Sequence, residues 1–171
     1  MTNKLTSVLF VIYLIALFWI ILFKFNVQFS YMGNTRSVNL IPFNQPLVLN
    51  GKISFAEMIL NIVIFVPLGI YAAALFERWT IGKQLFFVFL ISLLIEVLQF
   101  ILILGAFDIT DIITNTLGGI IGLLIFKGLK RAFGNSVKAQ KLINIIATIG
   151  TILMISLLLF LKINKLFMFR M

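Results

Sequence analysis

The sequence predicts an all-α protein, a polytopic membrane bundle of about five transmembrane helices forming a single domain over residues 1–171. Three observations carry this expectation. Hydrophobic residues make up 62% of the 171 positions and charged residues 11%, far from the balance of a soluble domain of this size. The apolar runs reach bilayer-spanning length and show no strand alternation. In hydrocarbon the chain must satisfy its own backbone, and a helix does this within one segment. The absence of cysteine and histidine excludes disulfides, thiol catalysis, thiolate metal sites and a Ser/His/Asp triad. Any chemistry must run on carboxylates, amides and hydroxyls.

The expected helices span about 5–23, 57–76, 84–104, 111–126 and 142–161. The first starts after Lys4 and stops before Lys24, and no small-residue cleavage site follows it, so it is expected to stay as an anchor. A long outer loop, 24–56, comes next, with turn signals at Gly33-Asn34, Asn44 to Pro46 and Asn50-Gly51. A loop of this length suits a lid or binding segment, and its VNLIPF stretch is apolar enough to dip toward the membrane; a loop that only covers the helix ends fits equally well. In the second helix, Ser54-Phe55-Ala56-Glu57 reads as a capping box, and Pro67 followed by Gly69 predicts a kink. The fourth helix is short and glycine-rich, and its Gly118 and Gly122 form a small-xxx-small pair that admits a close neighbour. Trp19 and Trp79 sit near helix ends, where interfacial tryptophans belong.

Five crossings put the two ends of the chain on opposite sides. One side holds Lys4, Arg78, Lys83 and a dense basic loop of Lys127, Lys130, Arg131, Lys138 and Lys141; the other holds Lys24, Arg36, Lys52, Lys162, Lys165 and Arg170. The dense loop beside helix ends places the N-terminus in the cytoplasm. Basic loops beside anionic lipid account for the net charge of +9, and no nucleic-acid partner is expected.

Under that topology Asn61, Glu96, Gln99 and Asn115 all fall in the outer half of their helices. With ~1.5 Å of rise per residue, Glu96 lies roughly 12 Å down and Gln99 roughly 7 Å. An ionised carboxylate at that depth costs at least ~2.5 kcal/mol unless paired, so Glu96 needs Arg36, an amide partner or a proton. Positions 108, 111, 115, 118, 119 and 122 share one face of the fourth helix, carboxylates above and glycines below. Asp108 suits an N-cap and Asp111 the first turn, roles compatible with lining a site.

RSVNLIPF at 36–43, EMILNIVIFVPLG at 57–69, IEVLQF at 95–100 and FDITDIITNTLGGIIG at 107–122 resemble the VanZ-like family. The resemblance implies a multi-pass protein of the bacterial cytoplasmic membrane that lowers susceptibility to teicoplanin, a lipoglycopeptide acting at the outer surface. It maps the family's polar positions onto Arg36, Asn39, Asn61, Glu96, Gln99, Asp108, Asp111 and Asn115. The expected function is protection through an outward-facing polar cavity that binds membrane lipid, a cell-wall lipid precursor or the drug. Without histidine a non-enzymatic role is favoured. The alternatives are an intramembrane enzyme, with Glu96 as general acid or base and Asp108 and Asp111 assisting or holding Mg²⁺ or Ca²⁺, and, behind it, a small transporter. No cofactor and no resident metal are expected, and a homo-oligomer stays open.

Overall fold

The computed structural model describes residues 2–22, 38–43, 47–49 and 52–163. Five helices make the bundle: α1 (Thr2–Leu22), α2 (Ala56–Leu75), α3 (Ile81–Ile101), α4 (Ile109–Phe133) and α5 (Ser136–Ile163). Four short strands accompany them: β1 (Val38–Asn39), β2 (Leu47–Leu49), β3 (Lys52–Ser54) and β4 (Phe107–Asp108). By length and composition α2, α3, α4 and the stretch Ser136–Ser156 of α5 can each cross a membrane, while α1 carries a shorter apolar run, Lys4–Ile20.

The α2–α4 pair is the spine, and glycine makes it. A Cβ at Gly118 would collide with the carbonyl of Ile62, one at Gly122 with that of Val66, and one at Gly69 with that of Gly119. Gly119 faces the other way, onto Val88 of α3. The small-xxx-small pair read from the sequence is thus half of a larger contact in which Gly69 of α2 answers the glycines of α4. Around it Phe65, Leu68 and Ala72 of α2, Val88 and Ile95 of α3, and Leu123 and Phe126 of α4 are buried together with Leu17, Ala139 and Ile143. α2 continues through Pro67. Tyr13 of α1 donates to the carbonyl of Ile64 at 2.9 Å and so ties α1 to α2 one turn before that proline.

Several boundaries differ from the sequence expectation, each for a local reason. α3 starts at Ile81 rather than about 84, because Thr80 caps it by accepting from the Lys83 N–H at 3.4 Å. It ends at Ile101 rather than about 104: the Leu104 N–H returns to the Gln99 carbonyl at 2.9 Å and the Ile103 N–H to that of Phe100 at 3.4 Å, with Ile103 at φ 57°. This is a Schellman stop in which isoleucine takes the left-handed position usually held by glycine, at a cost of roughly 1–2 kcal/mol. α4 runs to Phe133, seven residues past the expected 126. Gly134 at φ 61° ends it, and Asn135 starts α5 by accepting from the Val137 N–H at 2.7 Å. The dense basic loop is therefore not a loop. Lys127, Lys130 and Arg131 ride on the last turns of α4 and Lys138 and Lys141 on the first turns of α5, so α5 begins six residues before the expected 142. Charges end a hydropathy window, but they do not end a helix.

The connection between α1 and α2 also carries structure. β2 and β3 pair antiparallel, with Leu47 opposite Ser54 and Leu49 opposite Lys52, around the turn signal at 50–51, which itself lies outside the described residues. Ser54 ends β3, and the N-cap position of α2 is Phe55, which makes no side-chain cap bond; the side chain of Ser54, on which the expected capping box turns, lies outside the described ones. The turn signals at 33–34 and 44–46 lie outside the described residues. Trp79 stacks on Phe76, ring centroids 4.4 Å apart, in the turn between α2 and α3.

Candidate functional site

The site forms where α2 and α4 begin and α3 ends. Its frame is the parallel β1–β4 pair, Val38 opposite Phe107 and Asn39 opposite Asp108, which fastens the VNLIPF segment of the outer loop to the head of α4. Asp108 is the hub. Its Oδ1 accepts from the Thr110 N–H at 2.7 Å, the N-cap bond expected of it, and its Oδ2 accepts from Asn39 Nδ2 at 3.1 Å. Its own N–H donates to Glu96 Oε2 at 3.1 Å. Capping and site-building are one arrangement at this residue: the capping side chain holds the loop while its backbone holds a carboxylate from α3.

One turn further on, Asn61 of α2 donates through Nδ2 to Asp111 Oδ1 at 2.8 Å, joining α2 to α4 above the glycine contact. Below it, Asn115 Nδ2 donates to Ser92 Oγ of α3 at 3.1 Å. Glu96 and Asn115 are each 1% exposed, Gln99 2% and Asn61 5%. Asp108 and Asp111 are half-buried at the rim. With α3 ending at Ile101, Glu96 is five residues from the helix end, or roughly 7 to 8 Å, shallower than the 12 Å expected from the longer helix.

Of the sequence-selected residues, Asn39, Asn61, Glu96, Gln99, Asp108, Asp111 and Asn115 meet at this end of the bundle; Arg36 lies outside the described residues. Among the described residues Glu96 meets a backbone donor, and two of the amides foreseen as its partners make bonds of their own. The backbone of Asp108 supplies a donor, while Asn61 turns to Asp111 and Asn115 to Ser92. Glu57 lies in the first turn of α2 at the same end.

Three members were missed. Ser92, fully buried, precedes Glu96 by four residues and Gln99 by seven, one helix face that the spacing already defined. Thr110 accepts from the Phe43 N–H at 3.1 Å and so anchors the far end of the loop segment. Thr114 turns its hydroxyl back to the carbonyls of Thr110 and Asp111, at 3.0 and 3.2 Å. No sequence signal marked Thr110 or Thr114, because their partners are backbone atoms.

One acceptor is left over. Asn115 Oδ1 is buried and has no hydrogen-bond partner, an omission that costs roughly 1–3 kcal/mol in a protein interior. The cluster is rich in acceptors, and a donor such as a hydroxyl or amine would satisfy that oxygen. Among the described residues no three acidic side chains are arranged to hold a metal ion.

A family model described as VanZ/LLP1 matches residues 10–133, a stretch that contains every helix and strand of the site. This chain belongs to the VanZ/LLP1 family. It is 37% identical over 154 residues to protein VanZ of Enterococcus faecium, an alignment covering 89% of each chain. No solved structure matches it. The family match ends at Phe133, the last residue of α4.

Proposed function

We propose that this VanZ-family protein crosses the bacterial cytoplasmic membrane five times, N-terminus inside, and lowers susceptibility to teicoplanin-type lipoglycopeptides through the polar cluster at its outer end. The cluster acts as an outward-facing binding cavity for an envelope lipid, a lipid-linked wall precursor or the drug itself, and reduces productive contact between drug and target. One observation carries this reading: seven polar side chains from the outer loop, α2, α3, β4 and α4 converge at one end of the bundle, most of them buried, with an unused acceptor on Asn115. The orientation is supported by the basic residues gathered at the opposite helix ends. Functional ionisable groups inside a membrane protein face the bundle interior, as Glu96 does.

The test is susceptibility of a sensitive Gram-positive host to teicoplanin and vancomycin, with wild type or Glu96→Gln at matched membrane abundance. Glutamine keeps the size of Glu96 and an oxygen for the Asp108 N–H. The binding reading expects selective protection against teicoplanin that largely survives the substitution. Complete loss of protection, accompanied by a lipid or muropeptide change seen only with wild type, transfers the weight to carboxylate catalysis. No protection by the wild type sinks the resistance reading.

A further inference from the structure

Beside the cluster lie two turns whose chemistry fits neither water nor a packed core. Leu40, Ile41 and Phe43 of the outer loop, and Leu102 and Ile103 after α3, are each more than half exposed. The stretches VNLIPF and ILILGAF that contain them carry no charge. Both turns place an apolar residue at positive φ, Phe43 at 60° and Ile103 at 57°, a conformation that glycine or asparagine supplies when a turn faces water. They are tied to one another through the β1–β4 pair.

Most of their backbone N–H groups are used internally. Hydrocarbon offers no partner to an N–H group, so a lipid-immersed turn must use all of its donors internally. The Ile41 N–H reaches Asn39 Oδ1 at 3.3 Å, and the Phe43 N–H reaches Thr110 Oγ1 at 3.1 Å. Pro42, between them, has no N–H. The N–H groups of Leu102, Ile103 and Leu104 donate to the carbonyls of Leu98, Phe100 and Gln99, at 2.9, 3.4 and 2.9 Å. Apolar side chains turned outward over N–H groups turned inward suit a hydrocarbon surface.

We propose that residues 40–43 and 101–104 form an apolar lip seated in the outer leaflet beside the polar cluster, through which an acyl-chain lipid reaches the cluster sideways from the bilayer. The occupant of the lip is phospholipid, and the ligand class it admits is one with a hydrocarbon tail and a hydrogen-bonding head. The claim about access rests on the outward cavity proposed above; the seating of the lip in lipid does not.

The chain has no cysteine, so single labels can be placed without background. Ile41→Cys, Leu40→Cys and Leu102→Cys, spin-labelled and reconstituted in phosphatidylcholine–phosphatidylglycerol vesicles, are compared for collision with oxygen and with a water-soluble nickel chelate present on both sides. Val63→Cys, exposed on the lipid-facing flank of α2, and Asn135→Cys, in the turn after α4, set the lipid and water limits. The lip predicts oxygen-to-nickel ratios near the Val63 limit at two or more of the three positions. Ratios near the Asn135 limit at all three overturn it and leave the cavity reading standing. Lipid-like ratios in a protein that gives no teicoplanin protection keep the lip and remove the resistance reading.

Discussion

At the end of the bundle where α2 and α4 begin, four of the chain's five acidic residues, Glu57, Glu96, Asp108 and Asp111, gather with buried amides, and side chains from several elements bond directly to one another. At the opposite end stand Lys4, Arg78, Lys83, Lys127, Lys130, Arg131, Lys138 and Lys141, with Glu77 as the acidic exception. There the Lys130–Glu77 pair at 3.3 Å links α4 to the turn after α2, and its side chains are 49% and 36% exposed. Like-charged groups are handled in two ways. Cations spread over exposed helix turns need no partners because water and lipid headgroups solvate them. Carboxylates drawn inward must be held by named donors, and those donors fix the geometry of everything near them. The first arrangement orients a protein; the second builds a site.

Substitution tests this contrast. The largest effect is expected for Glu96→Leu, which removes the acceptor of the Asp108 N–H inside the bundle: a loss of roughly 1–3 kcal/mol, read as a lower midpoint of unfolding in detergent. A stability equal to wild type would mean that the cluster is not held together by its carboxylate. Asp108→Ala removes the cap of α4 and should cost about 1 kcal/mol. It should also free the loop, because the Asn39 bond goes with it, and proteolysis within 38–43 should rise in parallel. Glu77→Gln, at the basic end, should change the midpoint by less than about 0.5 kcal/mol, and less still at high salt. A cost for Glu77→Gln comparable to that for Asp108→Ala would erase the distinction between the two ends.

The outline of this division was legible in the sequence, because helix spacing alone places Glu96 with Gln99, and Asp111 with Asn115 and the glycines. Burial, the N-cap at Asp108 and the close approach at Gly118 and Gly122 followed from residue type and position. What escaped depended on backbone atoms that no side-chain pattern encodes. Glu96 takes a main-chain N–H, and Thr110 holds the backbone of Phe43. The end of α3 was misplaced because Ile103 occupies a position where a reader looks for glycine, and Gly105 stood two residues too late. The end of α4 lies past the expected position because its lysines end the apolar run without ending the helix.

Thr6, near the start of α1, donates to Asn144 of α5 at 2.9 Å, across 138 residues of sequence, with both side chains buried. α1 therefore meets this partner only after α2, α3 and α4 have been made. Until then that flank of α1 is open to lipid or to a chaperone. A chain interrupted before Asn144 contains every element of the polar cluster and still lacks the buried partner of Thr6.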